Sequence, residues 1–199
     1  MIVDAICEAW DKMSADFPEP TAEEDESRVN GALHNHLLLA LQEQTLLSSL
    51  VRNVTRGSEQ YSYDGTKHEF RPDLNFHLTA RDIRFPLVGE CKIIDASTHR
   101  TIARYKRDGI DRFTSGNYGW ACVEALMVAY VRDASDAETS LAAATGSAPE
   151  RWVGVRSTAH YRSVHARGFQ YVGRDPREEC PGDIGIIHIW LPAPAAGSP

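Results

Sequence analysis

Between Pro86 and Ile94 the chain runs through Leu87, Val88, Gly89, Cys91 and Ile93, and only Glu90 and Lys92 interrupt the apolar character. A run this short and apolar, with turn residues upstream, reads as a buried strand. Alternate strand residues face the same side, so Glu90 and Lys92 project from one face and Cys91 from the other. Charges placed inside a covered strand are costly unless they are paired or hold a metal. A surface Glu/Lys pair is the plain alternative, and it fits poorly in a run this apolar.

The preceding apolar segment opens with Arg71-Pro72-Asp73. If the two segments are neighbouring strands, Asp73 joins Glu90 in a paired-carboxylate metal site beside a lysine. That arrangement suits phosphodiester hydrolysis. Mg²⁺ favours carboxylate oxygens, lowers the pKa of bound water and neutralises developing charge. A lysine beside two carboxylates stays protonated, so an electrostatic role for Lys92 is preferred.

Pro72-Asp73 and Glu90-Cys91-Lys92, with the apolar runs Leu74 to Phe76 and Phe85 to Gly89, resemble the PD-(D/E)XK nuclease superfamily. The resemblance covers about residues 22–131. It implies a restriction-endonuclease-like core, an α/β domain whose central mixed sheet is flanked by helices. It also implies Mg²⁺, or Mn²⁺ in its place, held by Asp73, Glu90 and the backbone carbonyl of Cys91. Many members carry a further acidic residue on the first core helix. Of Glu23, Glu24, Asp25 and Glu26, the choice is Glu26, three residues before Val29 and seven before Leu33. The alternative is that all four simply favour the helix dipole. The helix after Lys92 carries Arg104-Tyr105-Lys106 and lacks the glutamine of some branches. Arg100, Arg104, Lys106 and Arg107 are candidate phosphate contacts, with a solvated helix face as the alternative.

The whole chain bounds these readings. Its 199 residues suffice for one domain with a sizeable core, and 42% hydrophobic with 25% charged residues is ordinary for a globular protein. No apolar run is long enough to span a bilayer. Asp4, Glu8 and Asp11 occupy the place of a basic leader, so no secretory signal is expected. Cys7, Cys91, Cys122 and Cys180 are widely spaced and form no C-x-x-C, which favours free thiols in a reducing cytoplasm. A net charge of −7 is awkward for a DNA binder. Residues 1–30 hold nine acids and two bases, however, whereas basic residues gather in 99–112 and 151–177.

Helical spacing marks residues 2–13, and Phe17 to Pro20 make a linker. Thr21 is the expected cap of a second helix running through Val29, Leu33 and Leu37 to Leu47 or Leu50. Val51 to Thr55 and Glu59 to Tyr63 suggest a hairpin about Arg56-Gly57-Ser58. Strands are expected over His68 to Leu78, with Pro72 in a bulge, and over Ile83 to Ile94. A helix follows over Asp95 to Phe113, capped by Ser97 or Thr98. Next come a helical start at Trp120 leading into a strand over Leu126 to Val131, and a helix over Asp136 to Thr145. Strands over Tyr161 to Val172 and Asp183 to Leu191 complete the pattern. Domain organisation is thus an N-terminal helix and linker over 1–20, the main domain over 21–191, and a flexible tail over 192–199. His188 reads as structural, and no pair of histidines has good metal spacing. No P-loop or G-x-S-x-G is present.

The function expected from these features is that of a metal-dependent nuclease. It would act on DNA or alternatively RNA, without a membrane, and draw recognition from a second copy or a partner subunit. A bacterial defence role follows only by analogy of fold. The rivals are a nuclease-fold protein that binds without cutting and an interaction protein with a coincidental Glu-x-Lys.

Overall fold

β-Branched and aliphatic residues dominate Glu124–Val131, and this strand, β4, forms the middle of the sheet. A computed structural model describes residues 1–16, 25–43, 46–60, 70–154, 159–169 and 182–193. Ahead of β4 come α1 (Ile2–Asp16), α2 (Glu26–Gln42), α3 (Leu46–Leu50), β1 (Val51–Thr55), β2 (Leu74–Leu78) and β3 (Leu87–Ile94). A single 3-10 turn, Ala96–Thr98, leads from β3 into α4 (Ile102–Tyr105). This helix continues through a π-helical segment, Lys106–Ile110, into α5 (Asp111–Thr114). After β4 follow α6 (Ala137–Thr145), β5 (Glu150–Val153), β6 (Ala159–His165) and β7 (Ile184–Pro192).

The protein is an α/β fold with a seven-stranded mixed sheet in the order β1-β2-β3-β4-β7-β6-β5. β4 pairs in parallel with β3 and β7, and the remaining pairings are antiparallel. Strand alternation sorts side chains onto two faces. Cys91, Ile93, Leu126, Val128 and Tyr130 pack with α1 and α2. Val88, Ile94, Met127 and Ala129 pack on the other side with Tyr105, Ile110, Phe113 and Leu141. A parallel central strand covered on both faces is apolar throughout, as β4 is from Ala125 onward.

The N-terminal helix belongs to this core. Val3, Ile6, Trp10 and Met13 are buried along one stripe of α1. Trp10 stacks on Tyr130, with ring centroids 5.1 Å apart, and its indole Nε1 donates to the Pro192 carbonyl at 2.9 Å. No helix among the described residues is long and apolar enough to cross a membrane.

Several local expectations change. The second helix is capped by Asp25, whose carboxylate accepts from the Ser27 N–H at 2.9 Å. Thr21, Glu23 and Glu24 lie outside the described residues. α2 ends at Gln42, and α3 is a separate turn of helix. β1 pairs with β2 and a lone bridge joins Gln60 to Phe70, while most of the expected hairpin partner, residues 61–63, lies outside the described residues. Tyr63 and His68 are outside the described residues. Pro72 precedes β2 and costs no ladder bond, and its carbonyl accepts from the Gly57 N–H. Residues 83–86 are turn rather than strand, and Trp120 begins no helix. Asp95, not Ser97 or Thr98, caps the 3-10 turn, while α4 starts after Thr101. The exposed strand β5 went unread because its four residues carry no apolar alternation.

Gly109 lets the π segment lie close on β4. A Cβ there would meet Met127 Cε at 2.3 Å and Sδ at 3.0 Å, so the tip of the Met127 side chain would have to move to admit a larger residue. His188 on β7 is fully buried, as a structural histidine should be. Its Nδ1 lies 2.9 Å from the Tyr105 hydroxyl and its Nε2 2.7 Å from Ser163 Oγ, which also bonds His165 Nε2. Burial first, and His165 second, pull His188 down to about 3 from an ordinary 6.5.

A stability prediction follows from that depression. Above pH 6.5 His188 is neutral in both states. Below it, protons bind the unfolded chain preferentially, so stability falls as pH drops from 6.5 towards 3. The slope contributed is at most about 1.4 kcal/mol per pH unit. Denaturant titrations should show His188→Gln losing less stability than the native protein between pH 6.5 and 4. Parallel curves would refute the buried neutral histidine.

Candidate active site

Antiparallel pairing of β2 and β3 sets Leu74 opposite Gly89 and Phe76 opposite Leu87. One step further along that register Asp73 stands across from Glu90, but the ladder has already ended. The N–H groups of Cys91 and Ile93 on this side therefore lack a strand partner. Carboxylates take their place. Asp73 Oδ2 accepts from the Cys91 N–H at 2.8 Å, and Glu26 Oε2 accepts from the Ile93 N–H at 3.1 Å. Such charge-assisted bonds are strong, and they fix two acids onto the backbone of β3. Glu26 reaches there because Asp25 caps α2 and points the first turn of that helix at the fork.

Lys92 fills the centre. Its Nζ lies 2.9 Å from Glu90 Oε1, 2.9 Å from Glu26 Oε1 and 3.8 Å from Asp73 Oδ2. It also donates to the Cys91 carbonyl at 2.7 Å. Asp73, Glu90, Lys92, Glu26 and the Cys91 carbonyl, all read as site groups from sequence, thus meet around one ammonium. Glu90 and Lys92 share a face, while the Cys91 side chain is buried in the opposite core.

The carboxyls sit in low-dielectric surroundings. Burial first, and then Asp73, push Glu90 up to about 8 against the opposing pull of Lys92 and Arg112. Asp73 is raised by burial, partly offset by Lys92 and the Cys91 N–H. For Lys92, burial works to lower the pKa, but Glu90, Glu26 and Asp73 outweigh it and hold the ammonium charged.

Three further residues complete the site and were not singled out from sequence. Arg112 Nη1 donates to Glu90 Oε1 at 2.8 Å and to the Tyr118 hydroxyl at 2.7 Å. Its guanidinium also lies over the Tyr118 ring, 5.2 Å from the centroid. Tyr118 is pushed up to about 12 by burial and then by Glu90, so its hydroxyl stays neutral. Arg56 bonds the Ser27 carbonyl at 2.8 Å and lowers the Asp73 pKa from a distance. Arg112 lay within the basic run 99–112, but nothing in a linear pattern distinguishes it from its neighbours. The strand-to-helix return that brings it back over Glu90 is a tertiary fact.

The four candidate phosphate contacts divide. Arg100 and Arg104 line a cavity of about 260 Å³ with Lys92, Ile93, Tyr105, Asp25 and Glu26. Lys106 instead pairs with Asp111 at 2.8 Å, and Arg107 Nε bonds Asp108 Oδ1 at 2.8 Å. Asp108 also holds Arg104 Nε at 3.2 Å.

Among the described residues, no group of three or more His, Cys, Asp or Glu side chains is placed to hold a metal ion. The donor chemistry nevertheless suits a hard divalent cation. Asp73, Glu90 and the Cys91 carbonyl offer only oxygen, and buried Glu90 Oε2 has no hydrogen-bond partner among the described residues. Comparison of the chain with family models, with curated proteins and with solved structures gave no match to any of them.

Proposed function

We propose that this protein is a metal-dependent nuclease of the cytoplasm, hydrolysing phosphodiester bonds in DNA, with Mg²⁺ or Mn²⁺ as cofactor. The observation that carries this reading is the convergence of Asp73, Glu90 and the Cys91 carbonyl on Lys92 Nζ where β2 leaves β3. Asp73, Glu90 and the Cys91 carbonyl would hold the ion. When bound, it lowers the pKa of an attacking water and neutralises charge on the phosphate.

The chain's own groups do the remaining work. Lys92, kept charged by its acidic neighbours, sets a positive charge beside an incoming phosphate oxygen. Arg112, itself held by the Tyr118 hydroxyl, bonds the Glu90 carboxylate through Oε1 and leaves Oε2 for a cation. Glu26 anchors Lys92 from the side of α2. Recognition of a particular sequence would come from a second copy or a partner subunit. A role in bacterial defence is the biological setting suggested by fold analogy alone.

A second reading is binding without cutting. It is favoured by Lys92 itself, whose ammonium already neutralises the carboxylates a metal would need. One assay separates the two. Plasmid, linear duplex and single strands are incubated with the protein in Mg²⁺, Mn²⁺ or EDTA. The nuclease reading expects cleavage only with metal, and losses of at least about 100-fold in Asp73→Asn and Glu90→Gln. Glu26→Gln should reduce the rate less. Equal cleavage in EDTA would eliminate metal-assisted hydrolysis, and no cleavage under any condition favours the binding protein.

Folding gives an independent expectation. Lys92→Met leaves Glu90 and its acidic neighbours without their counter-charge and should destabilise by about 3 kcal/mol. The ion pairs at 2.9 Å give Lys92 a part in the fold as well as in the site. Asp73→Asn keeps an acceptor for the Cys91 N–H and should cost much less in the same denaturant titration.

A further inference from the structure

We propose that the cavity beside Lys92 is a subsite for a phosphate of a DNA strand, adjoining the position where the strand would be cut. This rests on the nuclease reading and adds where, and through which residues, the substrate's neighbouring phosphate is held. Lys92 and Glu26 belong both to the carboxylate cluster and to the cavity wall, so the two positions are contiguous.

Its size and lining fit that ligand. At about 260 Å³ the cavity falls short of the roughly 300–1,000 Å³ of sites for drug-sized ligands. It therefore accepts a projecting group such as a phosphate, not a base pair. Three cations line it, Lys92, Arg100 and Arg104, against two acids. Both acids are already engaged. Asp25 caps α2 through the Ser27 N–H, and Glu26 uses one oxygen on Lys92 and the other on the Ile93 N–H. Arg104 is anchored through Nε to Asp108 at 3.2 Å. A guanidinium held in this way presents the forked donors that match phosphate oxygens. Lys106 and Arg107, which the sequence groups with Arg100 and Arg104, do not line the cavity.

Binding without turnover gives the test. Fluorescence anisotropy of a fluorescein-labelled oligo-dT is followed in EDTA across a series of NaCl concentrations. The native protein is compared with R100Q/R104Q and K106Q/R107Q, each shown to be folded by circular dichroism. Loss of two single-strand phosphate contacts should lower the slope of log K against log salt by about 1.4 in R100Q/R104Q. The change in K106Q/R107Q should be less than half of that. R100K/R104K should restore the slope, because it restores the charge, but not the full affinity. Inorganic phosphate at constant ionic strength should weaken oligo-dT binding to the native protein and leave R100Q/R104Q unaffected.

An unchanged slope in R100Q/R104Q, or an equal fall in K106Q/R107Q, overturns the subsite. If the native protein still cleaves DNA with Mg²⁺, the subsite alone has failed and the nuclease reading stands. If it neither binds nor cleaves, the nuclease reading fails and the subsite falls with it.

Discussion

Two backbone N–H groups that lose their strand partner organise this protein. β2 leaves β3 after Leu74, and the Cys91 and Ile93 amides would otherwise be half-buried donors without acceptors. Such donors are costly, so the position selects for acceptors with short, well-placed side chains. Asp73 and Glu26 meet that requirement, and each brings a negative charge into the fork. The charges in turn require Lys92, and Lys92 with Arg112 makes it tolerable for Glu90 to be 2% exposed. A sheet irregularity thus becomes a charged cluster by a chain of compensation.

Flanking structure meets at that fork. α1 and α2 cover one face and deliver Glu26 at a helix start, where the macrodipole favours an acid. The segmented helix from Ile102 to Thr114 covers the other face. Its π segment, seated through Gly109 on Met127, precedes the turn of helix that carries Arg112 back to Glu90. π segments are often found at functional sites, since the extra residue re-aims the side chains that follow. The Tyr105–His188–Ser163–His165 chain ties the same helix to β6 and β7. Burial of a neutral imidazole there trades acid tolerance for a fixed helix position.

The overall charge of −7 and a cluster with three basic wall residues are compatible because electrostatics is local. Short-range fields inside a recess are screened less than those of exposed charges. Salt links such as Arg84 with Asp82, exposed on the surface, contribute little to stability by comparison.

The sequence by itself determined the α/β class and the shared face of Glu90 and Lys92 along β3. Strand alternation is a local property, so Glu90 and Lys92 had to share a face once Leu87 to Ile94 was a strand. The acidic start of α2 and the proximity of Asp73 to Glu90 were legible for the same reason, since each follows from adjacent elements. Tertiary structure decided what lies across from them. Partnering of β1 with β2, the separation of α3 from α2, and the existence of β5 depend on pairing, not on the composition of a segment. Arg112 reaches Glu90 only because the chain returns over the sheet, and the other bases of residues 99–112 compete for that role in the linear pattern. Above all, the fold chose between Arg100, Arg104, Lys106 and Arg107. A run of bases has no direction until a helix is docked, and in the folded protein Arg100 and Arg104 line the cavity with Lys92.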